Sequence, residues 1–194
     1  MEKLDLLVWD DVPLAIDVPG LRSLEVSVAA DLENATILMG RGPELRALVE
    51  LWVDSYDVWR DVVAQVPGDL YLVTSSQPQE RSAAKGLLTH LSFFPKPDRL
   101  SDAEFFHGWH EVHTPTTGAL HPLRQGYTRD AVARALTDSP PVRGIVSEYF
   151  ATEDYLDPRR LFGSKEALDA SVEELPLYAD FDAVSSCPLY RQEN

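Results

Sequence analysis

Two similar segments lie about half a chain apart in this sequence. Residues 46–57 align with residues 143–154 at a constant offset of 97, and both begin with an apolar stretch typical of a strand. Downstream, residues 73–76 resemble residues 184–187 at a larger offset, which a longer loop at 157–162 in the second half explains. Chance similarity between two amphipathic strands is the alternative. A genuine repeat predicts that one supersecondary unit occurs twice in the chain.

The apolar periodicity divides the chain into short strands and a few helices. Residues 12–21 are too short and too rich in proline for a normal helix, and the polar segment 75–84 is the best candidate for a linker. Helices are predicted at 56–65, 100–113 and 164–174, and strands at 3–10, 22–31, 36–39, 46–54, 70–74, 86–94, 125–135, 142–150 and 181–186.

The helix predicted after residue 100 carries three histidines. Ser101 is a good N-cap, and Pro115 predicts that the regular turns end at about His113, at the helix C-terminus. At about 100° per residue, His113 falls inside the apolar arc, whereas His107 lies opposite and His110 lies at the border. His113 is therefore expected to point inward, as a functional residue or as a core histidine. The three side chains fan apart, so no metal cluster is expected there.

The same stretch contains Ser101, Glu104, Phe105, Trp109, His113 and Pro115. Their spacing resembles the first-helix signature of the EthD family, which belongs to the dimeric α+β barrel superfamily. Tyr127, the strand 144–150 and the acidic-aromatic residues 180–182 fit that pattern, and the resemblance covers about residues 85–190. It implies a ferredoxin-like fold, in a superfamily with cyclases, isomerases, cofactor-free oxygenases and haem proteins.

Together, the repeat and the resemblance predict an α+β fold with two ferredoxin-like β-α-β-β-α-β halves that form an antiparallel α+β barrel. The halves are expected at residues 1–78, with a degenerate opening helix, and at 85–194. Because one chain supplies both halves, a monomer with an internal pseudo-dimer is the simplest assembly, and a homodimer through the outer faces is the alternative. Closure of the two sheets predicts a mostly apolar interior pocket.

Charge and cysteine content exclude several classes of partner. The formal net charge of −15 opposes binding to nucleic acids or anionic membranes, and neither a signal peptide nor a membrane span is expected. The lone Cys187 favours a reducing cytoplasm. Because the sequence lacks a phosphate-binding glycine loop and paired metal-ligand spacing, no cofactor and no metal are expected.

The candidate site residues are those expected to put polar groups into the pocket. His113 is the leading acid or base, because a desolvated histidine can exchange protons near neutral pH. Structural roles are the alternatives, with Tyr127 as a packed aromatic, His90 as a core residue and Glu148 facing solvent. The predicted catalytic residues are His113, Tyr127 and His90, and the predicted substrate-binding residues are Trp109, Phe106, Ser92, Glu148 and Tyr149.

These residues predict a cofactor-independent enzyme that acts on a small hydrophobic carbonyl or phenolic compound. Histidine-mediated proton transfer would make it a lyase or isomerase of the cyclase, dehydratase or isomerase type. The alternatives are a cofactor-free monooxygenase and a non-catalytic accessory protein that binds a hydrophobic ligand or haem.

Overall fold

The computed structural model describes residues 1–32 and 44–192, and within them eight strands form a closed antiparallel barrel. Around the barrel the strand order is β1-β3-β2-β8-β5-β7-β6-β4. The strands are β1 (Glu2–Val8), β2 (Leu21–Ala29), β3 (Ala47–Val53), β4 (Asp69–Gln79), β5 (Leu88–Pro95), β6 (Tyr127–Ala135), β7 (Val142–Phe150) and β8 (Ser185–Arg191).

The helices lie outside the barrel, and most of them belong to the second half of the chain. The first half contributes α1 (Trp59–Gln65), which follows a 3₁₀ turn at Tyr56–Val58. The second half contributes α2 (Asp102–Phe106), a π-helical segment (His107–His113), α3 (Thr114–Leu120), α4 (Thr152–Leu156), α5 (Pro158–Leu161) and α6 (Lys165–Glu174), with 3₁₀ turns at Leu175–Leu177 and Phe181–Ala183.

The barrel contains the ferredoxin-like strand order twice, with the fourth strand of each set beside the first, then the third and the second. The two sets are β4-β1-β3-β2 and β8-β5-β7-β6, and they join where β2 pairs with β8 and β4 pairs with β6. The predicted fold class is confirmed. The segments 46–57 and 143–154 contain β3 and β7, which are the third strand of each set. That the halves divide at 1–78 and 85–194 stays a proposal.

The predicted linker was wrong over its first five residues. Ser75 and Ser76 pair with Asp130 and Arg129 of β6, so β4 continues to Gln79. This polar stretch forms a strand because its partner comes from the other half of the chain, which local composition does not reveal.

The signature helix begins as predicted and ends later than predicted. Ser101 and Glu104 form a capping box, in which each side chain bonds the other residue's backbone amide. The chain then widens into the π-helical segment, where the Thr114 amide donates to the Trp109 carbonyl, and continues through Pro115 to Leu120. Pro115 stands in the first turn of α3, where a missing amide is tolerated, so His113 lies within the helical run and not at its end.

The other elements agree with the sequence pattern, with three exceptions. The segment 157–162, predicted as a loop, contains α5, and the short helix α4 before it was not predicted either. The last strand was predicted at 181–186, but Phe181–Ala183 is a 3₁₀ turn and β8 begins at Ser185. The strand predicted at 36–39 lies outside the described residues.

The barrel interior holds two packed clusters of side chains instead of the predicted apolar pocket. One part is an apolar cluster that includes Leu48, Leu91 and Ile145. Another part is a buried charge cluster, in which Lys3 Nζ lies 2.7 Å from Glu50, 2.8 Å from Asp130 and 3.4 Å from Asp5. We call these four residues the Lys3 cluster.

Candidate active site

A cavity of about 390 Å³ lies between the helices and the outward face of the second-half sheet. Its floor comes from β5, β6 and β7, and its walls come from the π-helical segment, α3 and α6. The lining residues are His90, Ser92, Phe94, Trp109, His113, Thr117, Leu120, His121, Tyr127, Val146, Glu148, Phe162, Leu168, Ser171, Val172, Leu175, Tyr178, Phe181 and Val184.

The structure brings together most of the predicted site residues. His113, Tyr127, His90, Trp109, Ser92 and Glu148 all line this cavity. Tyr149 does not, because neighbouring residues on a strand point to opposite faces. It lines a separate polar cavity with Glu25 and Arg81. Phe106 is also absent from the lining, since its ring packs against Phe105, Trp109 and His110 and under the Arg143 guanidinium.

His113 projects into the cavity from the π-helical segment, as the helical wheel predicts, with 13% of its side chain exposed. Its Nδ1 lies 3.4 Å from Glu174 Oε2 without making a hydrogen bond, and its ring centroid lies 4.6 Å from that of Tyr178. Burial lowers the pKa of His113, although Glu148 and Glu174 oppose this effect. The imidazole is therefore uncharged at neutral pH and able to accept a proton.

The other two histidines of the signature helix have different surroundings. The side chain of His107 is 65% exposed and contacts Glu111 at 3.0 Å. His110 lies against Trp109, and burial lowers its pKa to about 4. Neither residue lines the cavity.

Glu148 forms a buried ion pair at the cavity floor. Its Oε1 accepts from Arg124 Nη1 at 2.5 Å, while Arg124 Nε donates to Gln79 and the guanidinium lies over the Tyr127 ring. Burial alone would raise the pKa of Glu148, but His121, Arg124 and His90 outweigh that effect and lower it. Glu148 is thus an ionised carboxylate within an otherwise apolar space.

His90 connects the cavity to a tyrosine beneath it. Its Nε2 lies 3.2 Å from Ser92 Oγ, and its Nδ1 lies 3.1 Å from the Tyr155 hydroxyl. Burial lowers the pKa of His90 to about 4, against the effect of Glu148. His90 is therefore an uncharged relay between two hydroxyl groups at neutral pH.

Tyr127 lines the cavity, and its hydroxyl lies near Thr114 and Trp109. The residue is 1% exposed, and burial raises its pKa to about 12. A phenol that stays protonated at neutral pH can donate a hydrogen bond to an oxygen that develops negative charge.

Sequence reasoning missed several residues that complete the site. Arg124 and His121 lie beyond the predicted helix end, in a segment that carries no periodic signal. Tyr178 and Glu174 reach His113 from more than 60 residues away in the chain. No local spacing links these residues to His113, so only the fold could reveal them.

One group of carboxylates in the described part of the chain has the spacing of a metal site. Asp5, Glu50 and Asp130 offer oxygens within 4.8 Å of one another, inside the barrel and not in the cavity. Lys3 Nζ lies among them and is itself the cation that these carboxylates bind.

Comparison with known proteins identifies the fold but no family. No family model matches the chain, and no curated protein matches it. A solved structure described as an anthrone oxidase-like protein superposes with a TM-score of 0.64 over 99% of this chain and 91% of that chain. The shared fold is an antiparallel, eight-stranded α+β barrel. At 12% sequence identity this likeness establishes the fold alone.

Within residues 1–32 and 44–192, no helix is long and apolar enough to cross a bilayer.

Proposed function

We propose that this protein is a cofactor-independent enzyme that acts on a small hydrophobic carbonyl or phenolic compound by proton transfer through His113. The observation that carries the proposal is an uncharged, inward-facing histidine in an apolar cavity that also contains an ionised carboxylate and a protonated phenol. A lowered histidine pKa keeps the base form available at neutral pH. The reaction would be of the cyclase, dehydratase or isomerase type, as the resemblance to the EthD family implies.

The proposed step is a transfer of one proton to His113 and back to the substrate. His113 accepts a proton from a carbon next to a carbonyl, and the C–H bonding pair forms the enolate. Tyr127 donates a hydrogen bond to the enolate oxygen, which stabilises its charge. The resulting imidazolium, near Glu174, then returns the proton at another position or to a leaving hydroxyl group.

A second candidate reaction is cofactor-free oxygenation, and the structural neighbour favours it. That protein is described as anthrone oxidase-like, and it superposes over almost the whole chain. In this version the anion formed by His113 reacts with molecular oxygen, which is the oxidant. Oxygen consumption coupled to substrate loss separates this reaction from an isomerisation or a dehydration.

We also propose that the chain acts as a monomer in a reducing cytoplasm. The barrel closes within one chain, and Cys187 is partly buried without a disulfide partner. Light scattering distinguishes this assembly from a homodimer through the outer faces.

The decisive variant for the enzyme proposal is His113→Gln. Glutamine keeps polarity and similar bulk but cannot exchange a proton near pH 7, so turnover should fall by roughly 10²- to 10⁴-fold. The matched control His107→Gln replaces the exposed histidine of the same helical run and should change activity little. Substrates come from a screen of small aryl ketones and phenols. If His113→Gln lowers the melting temperature but leaves turnover in the folded fraction unchanged, His113 is a structural residue and the proposal is wrong.

A further inference from the structure

Charge is distributed unevenly around the cavity. Among the described residues that line it, Glu148 is the one acidic residue, and none is lysine or arginine. His90 and His113 add no positive charge near neutral pH, because burial lowers the pKa of each. Glu148 is therefore the carboxylate that a ligand in this cavity meets.

The cationic group behind this carboxylate is Arg124, and it already has partners. Arg124 is 4% exposed in its side chain, and its donors bond Glu148 and Gln79 while its face covers Tyr127. His121 uses Nδ1 on the Leu161 carbonyl at 2.9 Å, and its ring packs against Phe150 and Phe162. His121 lines the cavity itself, but Arg124 does not, and a ligand anion would have to compete with Glu148 for the Arg124 guanidinium.

An anion in this cavity would lose water without gaining a cation, and it would also meet a like charge. Both effects oppose binding strongly in an apolar site. A hydroxyl group of a neutral ligand has the opposite character, because it can donate a charge-assisted hydrogen bond to Glu148.

We infer that the cavity selects uncharged hydroxyaryl or enol compounds against the corresponding carboxylates, and that Glu148 sets this preference. The inference rests on the proposed function in taking this cavity as the substrate site. It adds that a substrate carrying a free carboxylate must first be decarboxylated or esterified by another reaction.

The test uses naphthol and naphthoate substituted at the same ring position, which share the aromatic ring system, while only the carboxylate of naphthoate is charged at about pH 7. Calorimetric titration of the full chain should give a dissociation constant at least about 30-fold lower for naphthol. Equal affinities, tighter binding of naphthoate, or no binding of either probe below about 1 mM would overturn the inference. This comparison needs no variant, so it stands even if a substitution prevents folding.

Substitution of Glu148 tests its assigned role. Glu148→Gln should reduce the preference for naphthol over naphthoate by about 10-fold or more. The control Glu153→Gln removes an exposed carboxylate outside the cavity and should leave this preference unchanged. An unchanged preference in folded Glu148→Gln refutes the role of Glu148. Turnover is a separate readout: a chain that prefers naphthol but shows no His113-dependent activity keeps the charge selectivity and loses the enzyme proposal.

Discussion

Replacement of Lys3 by methionine should destabilise the protein severely at neutral pH. Lys3 is 5% exposed, and its ammonium group contacts three carboxylates within 3.4 Å. Burial opposes the charge of Lys3, but Asp5, Glu50 and Asp130 outweigh this effect and raise its pKa. The substitution keeps most of the apolar stem and removes the one lysine of the Lys3 cluster.

The size of the expected stability loss follows from the carboxylates that remain in the Lys3 cluster. Loss of one partner from a buried ion pair typically costs about 3–5 kcal/mol, and here three carboxylates lose the same partner. The two carboxylate oxygens of Asp5 and one of Asp130 already make no hydrogen bond with described residues, so they have no compensating donor. We expect a loss of about 3–5 kcal/mol at pH 8, a large part of a typical total of about 5–15 kcal/mol.

The stability lost in Lys3→Met should be smaller at lower pH. Burial raises the pKa of Asp5 and of Asp130 above their ordinary values, and removal of Lys3 should raise both further. A raised carboxyl pKa means that the folded state binds more protons than the unfolded state. Its contribution to stability is therefore fully present below the unfolded pKa of about 3.9 and is lost as pH rises through the folded pKa.

Urea denaturation of wild type and Lys3→Met at about pH 5 and pH 8 measures the loss of unfolding free energy and its dependence on pH. The control Lys165→Met removes a 79%-exposed lysine and should change the unfolding free energy by about 0.5 kcal/mol or less. The additional change Asp5→Asn should recover part of the loss at pH 8, because it removes one surplus buried charge. A Lys3→Met protein within about 1 kcal/mol of wild type at pH 8, or a loss that does not depend on pH, refutes this reasoning.

Two further outcomes test the helical run and its histidine. Gly108→Ala should lower the free energy of unfolding by about 1–3 kcal/mol, because an added Cβ would lie 2.3 Å from the Leu177 carbonyl oxygen. The control Gly118→Ala places its Cβ in open space and should be neutral or stabilising in thermal unfolding. Equal effects of the two changes would contradict this packing. In a pH–rate profile of kcat/KM, activity should be level near neutral pH and fall as pH drops through the lowered pKa of His113, below the usual value of about 6.5. An acid limb above that value would contradict an uncharged His113.

Local sequence patterns determined much of the fold. Alternating apolar residues placed most strands, the repeat at offset 97 indicated two similar units, and Ser101 as a good N-cap marked the start of the signature helix. The wheel also predicted that His113 points inward, because side chains three and four residues apart share a helix face. These features depend on residues that are close in sequence, so the amino-acid sequence alone predicts them.

Only the tertiary structure decided where the cavity lies and which groups meet there. The interior expected to hold a ligand contains the Lys3 cluster, while the cavity lies under the helices. Pro115 did not end the helix, because the π-helical segment shifts the hydrogen bonds before it. Arg124 and Glu174 join the site through strand pairing and helix packing between distant parts of the chain. Such contacts depend on how whole strands and helices pack against one another, and short-range spacing in the sequence does not encode that packing.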